Sequence, residues 1–475
     1  MKDAIAAILS HADTHDWKKI SVPFGEESLD IAVPRRCVTL QMRHMPCLAD
    51  SREDIARALN NPTGSPPLPA IISSTGKRPA DITVCITVSD ITRPVPYRGK
   101  RGILLPLLEI IESAGVRRDN IVFVIGNGMH RPSTSEERLA MYGSEVVDHY
   151  RIVDHDCEDR ASQVLAAHTS RGTKVYVNRL FHQSDVKIVT GLVESHFMAG
   201  ISGGRKAVCP ALTNIETIRK FHGVDFLEDP RSTNLVLDGN PCHEEALEVA
   251  QTVGVDFMIG TTIDHALDIT GVYAGDLVAA HMEAFEAMKA FVEIPIDEPY
   301  DIVLTHGGYV GRDHYQSVKA AVSALPAVKD RGLIVMVSNT LDAEPIGSRE
   351  YKTLLHLLTI LGPDAYLSIL RHPDWVFTRD QWEPEMWGKA LRRVGTGGLI
   401  FCAPQISEED SRILPGLNGH DFIDGKTAYG SHRETARAML QNAVIYAAHH
   451  PRFGQRTPSM TFIAEGPYAI PLTQT

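Results

Sequence analysis

The chain has 475 residues, more than one domain usually spans, so two domains with separate hydrophobic cores are expected. A composition of 43% hydrophobic and 22% charged residues is that of an ordinary globular protein. The net charge of −12, without a long basic run, argues against nucleic acid or an anionic membrane surface as the main partner.

The N-terminal segment 1–19 does not resemble a secretory signal, because His11, Asp13 and His15 interrupt its short apolar stretch. No window reaches the roughly 18 apolar residues that a membrane span needs. The seven cysteines are scattered and lack C-x-x-C spacing, which disfavours a disulfide framework or a zinc-thiolate site. We therefore expect a cytoplasmic protein.

Val/Ile-rich runs without polar alternation predict strands buried on both faces, separated by amphipathic helices. Such a pattern predicts an α/β fold of two domains with mainly parallel sheets and a cleft between them. The runs are 81–89, 120–128, 186–193, 300–308, 332–340 and 397–404.

The segment 255–273 predicts two antiparallel strands, and 274–293 predicts a helix. Two prolines in 294–299 mark the junction between an N-terminal domain, 1–293, and a C-terminal domain, 294–475. The pattern leaves open whether the C-terminal segment 460–475 packs back on the first domain.

Ligands of open α/β sheets bind beyond the carboxyl ends of the strands. After the first strand, Arg93 is suited to a phosphate or carboxylate, and Asp90 to a sugar hydroxyl or to orienting that arginine. The alternative is a solvated turn with an Asp–Arg ion pair. After the second strand, "GNGMHRPSTSEE" (126–137) only partly matches a dinucleotide fingerprint, and its capping signals place His130 at a strand-to-helix turn.

After the third strand, "ESHFMAGISGGRKAVCP" (194–210) contains Gly203 and Gly204, which permit a tight turn close to an anion, and then Lys206. It is not a Walker A loop. The next segment predicts a helix capped by Thr213 and Glu216, with His222 in its last turn, where an imidazole is often only a favourable cap.

In the second half, Gln316 and Lys319 are three residues apart on a predicted helix, so both face one side and offer donors to a carboxylate. Trp382 and Trp387 follow, and indole rings at such positions more often pack in a core or between domains than contact a ligand.

Together these segments resemble the nickel-pincer-nucleotide-dependent lactate racemase family. The resemblance extends from about residue 80 to about residue 385, and its motifs occur in the family's order. They are "SDITRPVP", "GMHRPSTSEE", "ESHFMAGISGGRK", the histidine at 222, "HYQSVK" and "DQW". Two departures occur, at Ala211 and in the loop 307–316, and the second bears on substrate identity.

The resemblance implies a racemase or epimerase of small 2-hydroxy acids that uses hydride transfer to a nickel-pincer pyridinium mononucleotide, supplied by dedicated biosynthesis proteins. It implies that Lys206 tethers this cofactor and that His222 binds the nickel. His130 and His196 are then the acid/base pair, and other residues contact the cofactor (Asp90, Thr92, Arg93, Gly203, Gly204) or the substrate (Arg93, Tyr315, Gln316, Lys319, Trp382).

Two alternatives remain at this point. One is an NAD-dependent 2-hydroxy acid dehydrogenase built on the 126–131 segment, which the missing third glycine disfavours. The other is a non-catalytic homologue that binds a nucleotide or nickel. The sequence leaves the substrate open among lactate, longer aliphatic, aromatic, malate-like and sugar acids, and it does not fix the oligomeric state.

Overall fold

The computed structural model describes residues 2–99, 101–264, 266–424 and 429–473. The helices in these ranges are α1 Lys2–His11, α2 Ser51–Asn60, α3 Leu68–Ser74, α4 Leu104–Ser113, α5 Ser135–Tyr142, α6 Ser144–Val147, α7 Arg179–Gln183, α8 Ile215–Phe221, α9 Val224–Leu227, α10 Pro241–Val253, α11 Ala279–Val292, α12 His314–Ser323, α13 Arg349–Leu361, α14 Pro363–Leu370, α15 Trp382–Val394 and α16 His432–Ala448. None of these helices is both long enough and apolar enough to cross a bilayer.

The strands in the same ranges are β1 Trp17–Phe24, β2 Glu27–Pro34, β3 Val38–Leu40, β4 Val84–Val88, β5 Ile121–Ile125, β6 Arg151–Asp154, β7 Gln163–His168, β8 Lys174–Asn178, β9 Val186–Leu192, β10 Ser195–His196, β11 Gly200–Ile201, β12 Phe257–Ile263, β13 Ile269–Gly275, β14 Glu293–Ile296, β15 Tyr300–His306, β16 Val328–Val337, β17 Leu399–Cys402, β18 Leu417–Asn418, β19 Met460–Ile463 and β20 Ile470–Thr473. All six predicted strand segments contain a strand, which confirms the α/β class.

The chain divides into two compact units. The central unit is His44–Phe291, and the terminal unit combines Met1–Arg43 with Val292–Thr475. The predicted first domain, 1–293, therefore differs from the central unit in its first 43 residues and its last two.

Those residues belong to the terminal unit because their apolar side chains pack there. β3 pairs in parallel with β19, and the backbone of Ala32 in β2 exchanges two hydrogen bonds with the Gln441 side chain of α16. Leu29 and Ile31 lie in the same buried cluster as Leu440. The C-terminal segment also stays in this unit, since β20 pairs with β14.

The central unit contains a sheet with the strand order β13-β12-β9-β4-β5-β6. All neighbours are parallel except β12 and β13, which form the predicted antiparallel pair. Every side chain of β4 is buried, as a strand covered on both faces requires. From β4 the chain adds β5 and β6 on one side and then crosses to β9 on the other.

The terminal unit contains a parallel sheet with the order β18-β17-β16-β15-β19-β3. The hairpin β1–β2 and α16 contribute to one buried cluster with the strands of this sheet. Helix α12 begins eight residues after β15, so its first turn follows the carboxyl edge of the sheet.

Candidate active site

The loops that follow β4, β5 and β9 carry most of the predicted site residues. These strands are neighbours in the order β9-β4-β5, and because they are parallel their carboxyl ends meet at one edge of the sheet. Strand order reverses between β4 and β9, which is the topological switch point where open α/β sheets bind ligands. The fold of the central unit thus groups these loops at a favoured ligand position.

Asp90 and His130 form a hydrogen-bonded pair at this edge. Asp90 is only 5% exposed, and its Oδ2 lies 2.6 Å from the Nδ1 of His130. Its Oδ1 accepts hydrogen bonds from the backbone N–H and the hydroxyl of Thr92, at 3.1 and 2.5 Å. Burial raises the pKa of Asp90, but the charge of His130 and the hydrogen bonds from His130 and Thr92 together hold it below its ordinary value. Asp90 is therefore a carboxylate that orients the imidazole.

A second carboxylate fixes the loop that carries His130. The Oδ1 of Asp154, at the end of β6, accepts from the Asn127 side chain at 3.1 Å and from the Ser133 backbone N–H at 2.9 Å, and its Oδ2 pairs with Arg138. The following helix begins with a capping box between Thr134 and Glu137, in the segment whose sequence carries the capping signals.

The glycines of this loop do not form a dinucleotide site. The backbone N–H of Gly126 donates a hydrogen bond to the Val88 carbonyl. A Cβ on Gly126 would lie 2.8 Å from the Cβ of Ala211, so this glycine packs against protein. Helix α5 begins only at Ser135, seven residues after Gly128, whereas a dinucleotide fingerprint leads directly into a helix. The geometry therefore disfavours the NAD-dependent dehydrogenase alternative.

Arg93 forms an ion pair with Glu194, which lies two residues after the end of β9. Its Nη1 lies 2.7 Å from the Glu194 Oε1, with both side chains about a quarter exposed or less. The Asp–Arg ion pair that the sequence left as an alternative is thus not the pair that Arg93 forms. Glu194 was missed from the sequence, although an acidic residue directly after a buried strand was a usable signal.

The segment 195–206 folds back on itself as a small hairpin. His196 pairs with Gly200 in the two-residue ribbon of β10 and β11, and Ser202 exchanges hydrogen bonds with the Glu194 backbone. His196 is buried, and its Nδ1 accepts the backbone N–H groups of Met198 and Ala199, each at 3.2 Å.

Gly203 and Gly204 make the predicted tight turn. Their φ angles are +71° and +50°, a region that disfavours residues with a Cβ. A Cβ on Gly204 would lie 2.6 Å from the ring of the buried His281. The turn ends in a short 3₁₀ helix, Gly204–Ala207, that contains Lys206.

Lys206 lies in an unusual electrostatic environment. Burial lowers its pKa to about 7, with further lowering from the charges of Arg205 and Arg93. Its Nζ packs 4.6 Å from the centre of the Phe221 ring. Arg205 is itself fully buried and donates to the carbonyls of Ala199 and Ile201, at 2.7 and 3.0 Å.

His222 ends helix α8 as its C-cap, close to the predicted position. Burial lowers its pKa to about 3, and the charges of Lys206 and His130 lower it further. The start of this helix was predicted wrongly: the N-cap is Asn214, whose side chain accepts the Thr217 N–H at 3.0 Å, and not Thr213. The central unit thus brings His222 within the electrostatic influence of both Lys206 and His130.

The predicted substrate residues of the terminal unit lie on α12 and α15. The Trp382 indole is buried and hydrogen-bonds with Tyr315 and Glu383. The positive charge of Lys319 acts on both Glu383 and Asp313, so acidic residues that were not predicted from the sequence surround this lysine. Asp313 is also the N-cap of α12 and accepts the Gln316 N–H at 2.6 Å.

Comparison with known proteins identifies the family. A family model described as the lactate racemase N-terminal domain matches residues 24–234. A lactate racemase from Thermoanaerobacterium thermosaccharolyticum is 31% identical over 329 residues, which cover 68% of this chain and 75% of that protein. The chain belongs to the lactate racemase family. A second lactate racemase, from Lactiplantibacillus plantarum, is 31% identical over 72% of this chain and 77% of its own length.

Solved structures support the fold of this lactate racemase family member. The lactate racemase apoprotein from T. thermosaccharolyticum matches with a TM-score of 0.79 and 24% identity, over 96% of this chain and all of that one. A protein from Thermotoga maritima matches with a TM-score of 0.59 and 15% identity, over 91% of this chain and all of that one. Family membership makes the chain an isomerase.

Proposed function

We propose that this member of the lactate racemase family inverts C2 of a small 2-hydroxy acid. The observation that carries the proposal is the pairing of His130 with the buried carboxylate of Asp90 at the sheet edge that also carries Lys206. An imidazole held by a carboxylate through Nδ1 presents Nε2 as a base, which suits removal of the hydroxyl proton.

Direct removal of the C2 hydrogen as a proton would create a carbanion beside an anionic carboxylate. Hydride transfer avoids that charge and produces a planar 2-oxo acid instead. We therefore propose that the enzyme uses a nickel-pincer nucleotide, tethered through Lys206 and bound at nickel by His222. When bound, this group supplies a pyridinium carbon that accepts hydride and returns it.

The side chains fit such a group. An amine whose pKa is about 7 is substantially unprotonated at neutral pH, as formation of a thioamide bond requires. An imidazole whose pKa is about 3 keeps its lone pair for a metal, and nickel accepts imidazole nitrogen beside sulfur. We propose that Asp90, Thr92, Arg93, Gly203 and Gly204 contact the nucleotide.

Substrate orientation is proposed to use donors that suit a carboxylate. Arg93 offers paired N–H groups, which Glu194 holds in place. From the terminal unit we propose Tyr315, Gln316, Lys319 and Trp382. We propose His196 as the second acid/base histidine, which exchanges a proton with the oxygen at C2. We also propose that the protein is cytoplasmic and receives its cofactor there from the biosynthesis proteins.

The adduct on Lys206 tests the cofactor assignment. The chain is co-expressed with nickel-nucleotide biosynthesis proteins, and the intact mass and the nickel content are measured. We expect added mass on the Lys206 peptide and its loss in Lys206→Ala. Lys174→Ala, at an exposed position on β8, is the matched control and keeps the adduct. An adduct that persists in Lys206→Ala contradicts the assignment.

The substrate class is tested with the loaded protein under anaerobic conditions. Single enantiomers of lactate, longer aliphatic, aromatic, malate-like and sugar acids are incubated, and the products are separated by chiral chromatography. We expect inversion at C2 of at least one acid without added NAD. Net oxidation that depends on NAD would instead support the dehydrogenase, and nickel binding without turnover would support a non-catalytic homologue.

A further inference from the structure

Two buried tyrosines hold the residue that precedes Asp90. The backbone N–H of Ser89 donates to the Tyr97 hydroxyl at 2.8 Å, and the Ser89 carbonyl accepts from the Tyr142 hydroxyl at 2.8 Å. Tyr97 is 1% and Tyr142 2% exposed, and their ring centroids lie 5.6 Å apart. The peptide planes on both sides of Ser89 are therefore fixed, and with them the direction in which the chain enters Asp90.

The Tyr97 hydroxyl belongs to a chain of hydrogen bonds whose direction is determined by its last acceptor. Thr190, on β9, donates its hydroxyl hydrogen to the Thr87 carbonyl at 2.6 Å, because a carbonyl only accepts. The Thr190 oxygen then accepts from the Tyr97 hydroxyl at 2.9 Å, and Tyr97 in turn accepts the Ser89 N–H. Burial raises the pKa of both tyrosines above the ordinary value, so both hydroxyls keep the hydrogen that they donate.

These hydrogen bonds connect the two loops that carry Asp90 and His130. Tyr97 follows Asp90 in the same loop, so its bond to Ser89 closes that loop at its base. Tyr142 is the last residue of α5, the helix that follows the His130 loop. Both loops are thus attached to Ser89, which lies directly beside the carboxylate that must meet the imidazole.

We propose that Tyr97 and Tyr142 are positioning residues, whose hydroxyls keep the Asp90 carboxylate at hydrogen-bonding distance from the His130 ring. This inference rests on the proposed racemase function, in which His130 exchanges a proton with the substrate oxygen. Each tyrosine acts through the Ser89 backbone and not on the reacting atoms. Without its hydroxyl the carboxylate shifts, and a misplacement of about 1 Å can cost about 100-fold in rate.

A role in stability alone leads to a different expectation. Loss of either hydroxyl would then lower the free energy of unfolding and leave the Asp90–His130 hydrogen bond of the folded protein as it is. The positioning role requires instead that this hydrogen bond weakens in a variant that is still folded. Circular dichroism identifies the folded variants, and the state of the His130 ring distinguishes the two roles.

Nuclear magnetic resonance of the full-length apoprotein, labelled with ¹⁵N-histidine, reports that state without turnover. Asp90 accepts from Nδ1, so the neutral His130 ring of wild type should carry its hydrogen on Nδ1 at about pH 8. Long-range ¹H–¹⁵N correlations distinguish the two neutral tautomers, and the spectrum of His130→Gln assigns the signals. We expect Tyr97→Phe to shift His130 toward the Nε2–H tautomer, which histidine prefers in water.

Tyr142→Phe removes the other hydrogen bond to Ser89 and gives an independent test should Tyr97→Phe not fold. We expect a shift in the same direction. The matched control is Tyr150→Phe, which loses a hydrogen bond to Glu112 in the same unit and should keep the wild-type tautomer. A wild-type tautomer ratio in the folded Tyr97→Phe and Tyr142→Phe proteins overturns the inference, and in one of them alone it overturns the inference for that tyrosine.

Kinetics of the loaded enzyme test the consequence for turnover. We expect kcat of Tyr97→Phe to fall by about 10–100-fold, with KM within about threefold of wild type and the Lys206 adduct intact by mass. Tyr150→Phe should keep wild-type kcat. A kcat for Tyr97→Phe equal to that of Tyr150→Phe would overturn the inference. Absence of racemisation in the wild type overturns the proposed function instead, and the histidine spectra still decide whether the two tyrosines position Asp90.

Discussion

The Asp90 carboxylate is hydrogen-bonded to the His130 ring, with its Oδ2 2.6 Å from the imidazole Nδ1. Its Oδ1 accepts hydrogen bonds from the backbone N–H and the hydroxyl of Thr92. The carboxylate is buried and the imidazole is about half exposed, so the pair presents the far nitrogen of the ring, Nε2, outward. This relationship resembles the Asp–His part of a hydrolase triad, in which the carboxylate sets the tautomer and stabilises the imidazolium.

Replacement of Asp90 by asparagine should therefore slow turnover and leave the cofactor attached. The amide has the same shape but no charge, so neither the Nδ1–H tautomer nor the imidazolium is stabilised. We expect kcat to fall by about 10²–10⁴-fold, from the corresponding change in a Ser-His-Asp triad. Steady-state kinetics of racemisation and the mass of the Lys206 peptide provide the measurements.

The control for this variant is Asp119→Asn, because the Asp119 side chain is 83% exposed and pairs with Arg117 at the surface. It should keep wild-type kcat. A kcat for Asp90→Asn within threefold of wild type would show that the Asp90 carboxylate has no role in proton exchange.

The amine of Lys206 should react at a lower pH than that of any exposed lysine. Burial and the charges of Arg205 and Arg93 lower its pKa to about 7, so half of the amine is unprotonated near pH 7 and nearly all of it at pH 8.5. We expect the rate of acylation of the apoprotein at Lys206 to reach half of its maximum near pH 7. Peptide mass spectrometry after brief treatment with an amine-specific reagent measures this rate.

Exposed Lys174 in the same sample is the internal control for the reactivity of the reagent at each pH. Parallel pH profiles for Lys206 and Lys174 would contradict the proposed environment.

The central sheet could be predicted well because its signals are local. Val84–Val88 is buried at every position, so its continuous apolar run indicates a strand without knowledge of its neighbours. The loop positions of His130 and Lys206 followed from the strands that precede them. Their grouping at one edge then follows from parallel pairing, which the alternation of strands and helices indicates.

The errors arose where the decisive contacts are distant in sequence. β3 pairs with β19, with Val38 opposite Thr461. No local sequence pattern indicates that a strand will pair with another strand more than 400 residues away. Arg205 was missed because arginine is rarely fully buried, and its role depends on carbonyl groups that only the folded turn presents. The acidic residues around Lys319 were missed for a similar reason, since Glu383 belongs to a different helix.

Gly204 should tolerate alanine poorly because two costs coincide there. Its φ of +50° disfavours a Cβ, and that Cβ would lie 2.6 Å from the His281 ring. The ring cannot withdraw freely, since its Nε2 hydrogen-bonds with the Ser202 carbonyl at 2.8 Å. We expect Gly204→Ala to destabilise the fold by about 2–5 kcal/mol, with about 1–2 kcal/mol from the backbone and about 1–3 kcal/mol from overpacking.

Gly172→Ala separates the two costs. Gly172 also has a positive φ, +77°, but no atom lies within 4 Å of the position that a Cβ would occupy, so only the backbone cost of about 1–2 kcal/mol applies. Chemical denaturation of both variants measures the difference. Equal loss of stability in the two would show that the His281 contact costs nothing.

Asp313 should make the protein less stable as the pH rises toward neutrality. Burial raises its pKa to about 7, with a contribution from Asp342, whereas the unfolded chain has a value near 4. Between these two values the folded state binds more protons than the unfolded state, so the free energy of unfolding falls as pH rises. Asp313→Asn keeps a good N-cap for α12 but cannot ionise.

The variant should therefore gain stability relative to wild type between pH 4.5 and pH 7.5, by about 1–3 kcal/mol after allowance for partial solvent exposure. Denaturant midpoints at several pH values measure this gain. Asp374→Asn, at a side chain that is 92% exposed, should follow the wild-type curve throughout. The contrary result is a stability curve for Asp313→Asn that runs parallel to that of wild type across this pH range. It would show that the Asp313 carboxyl has the same pKa in the folded and unfolded chains, and that burial at the start of α12 does not raise it.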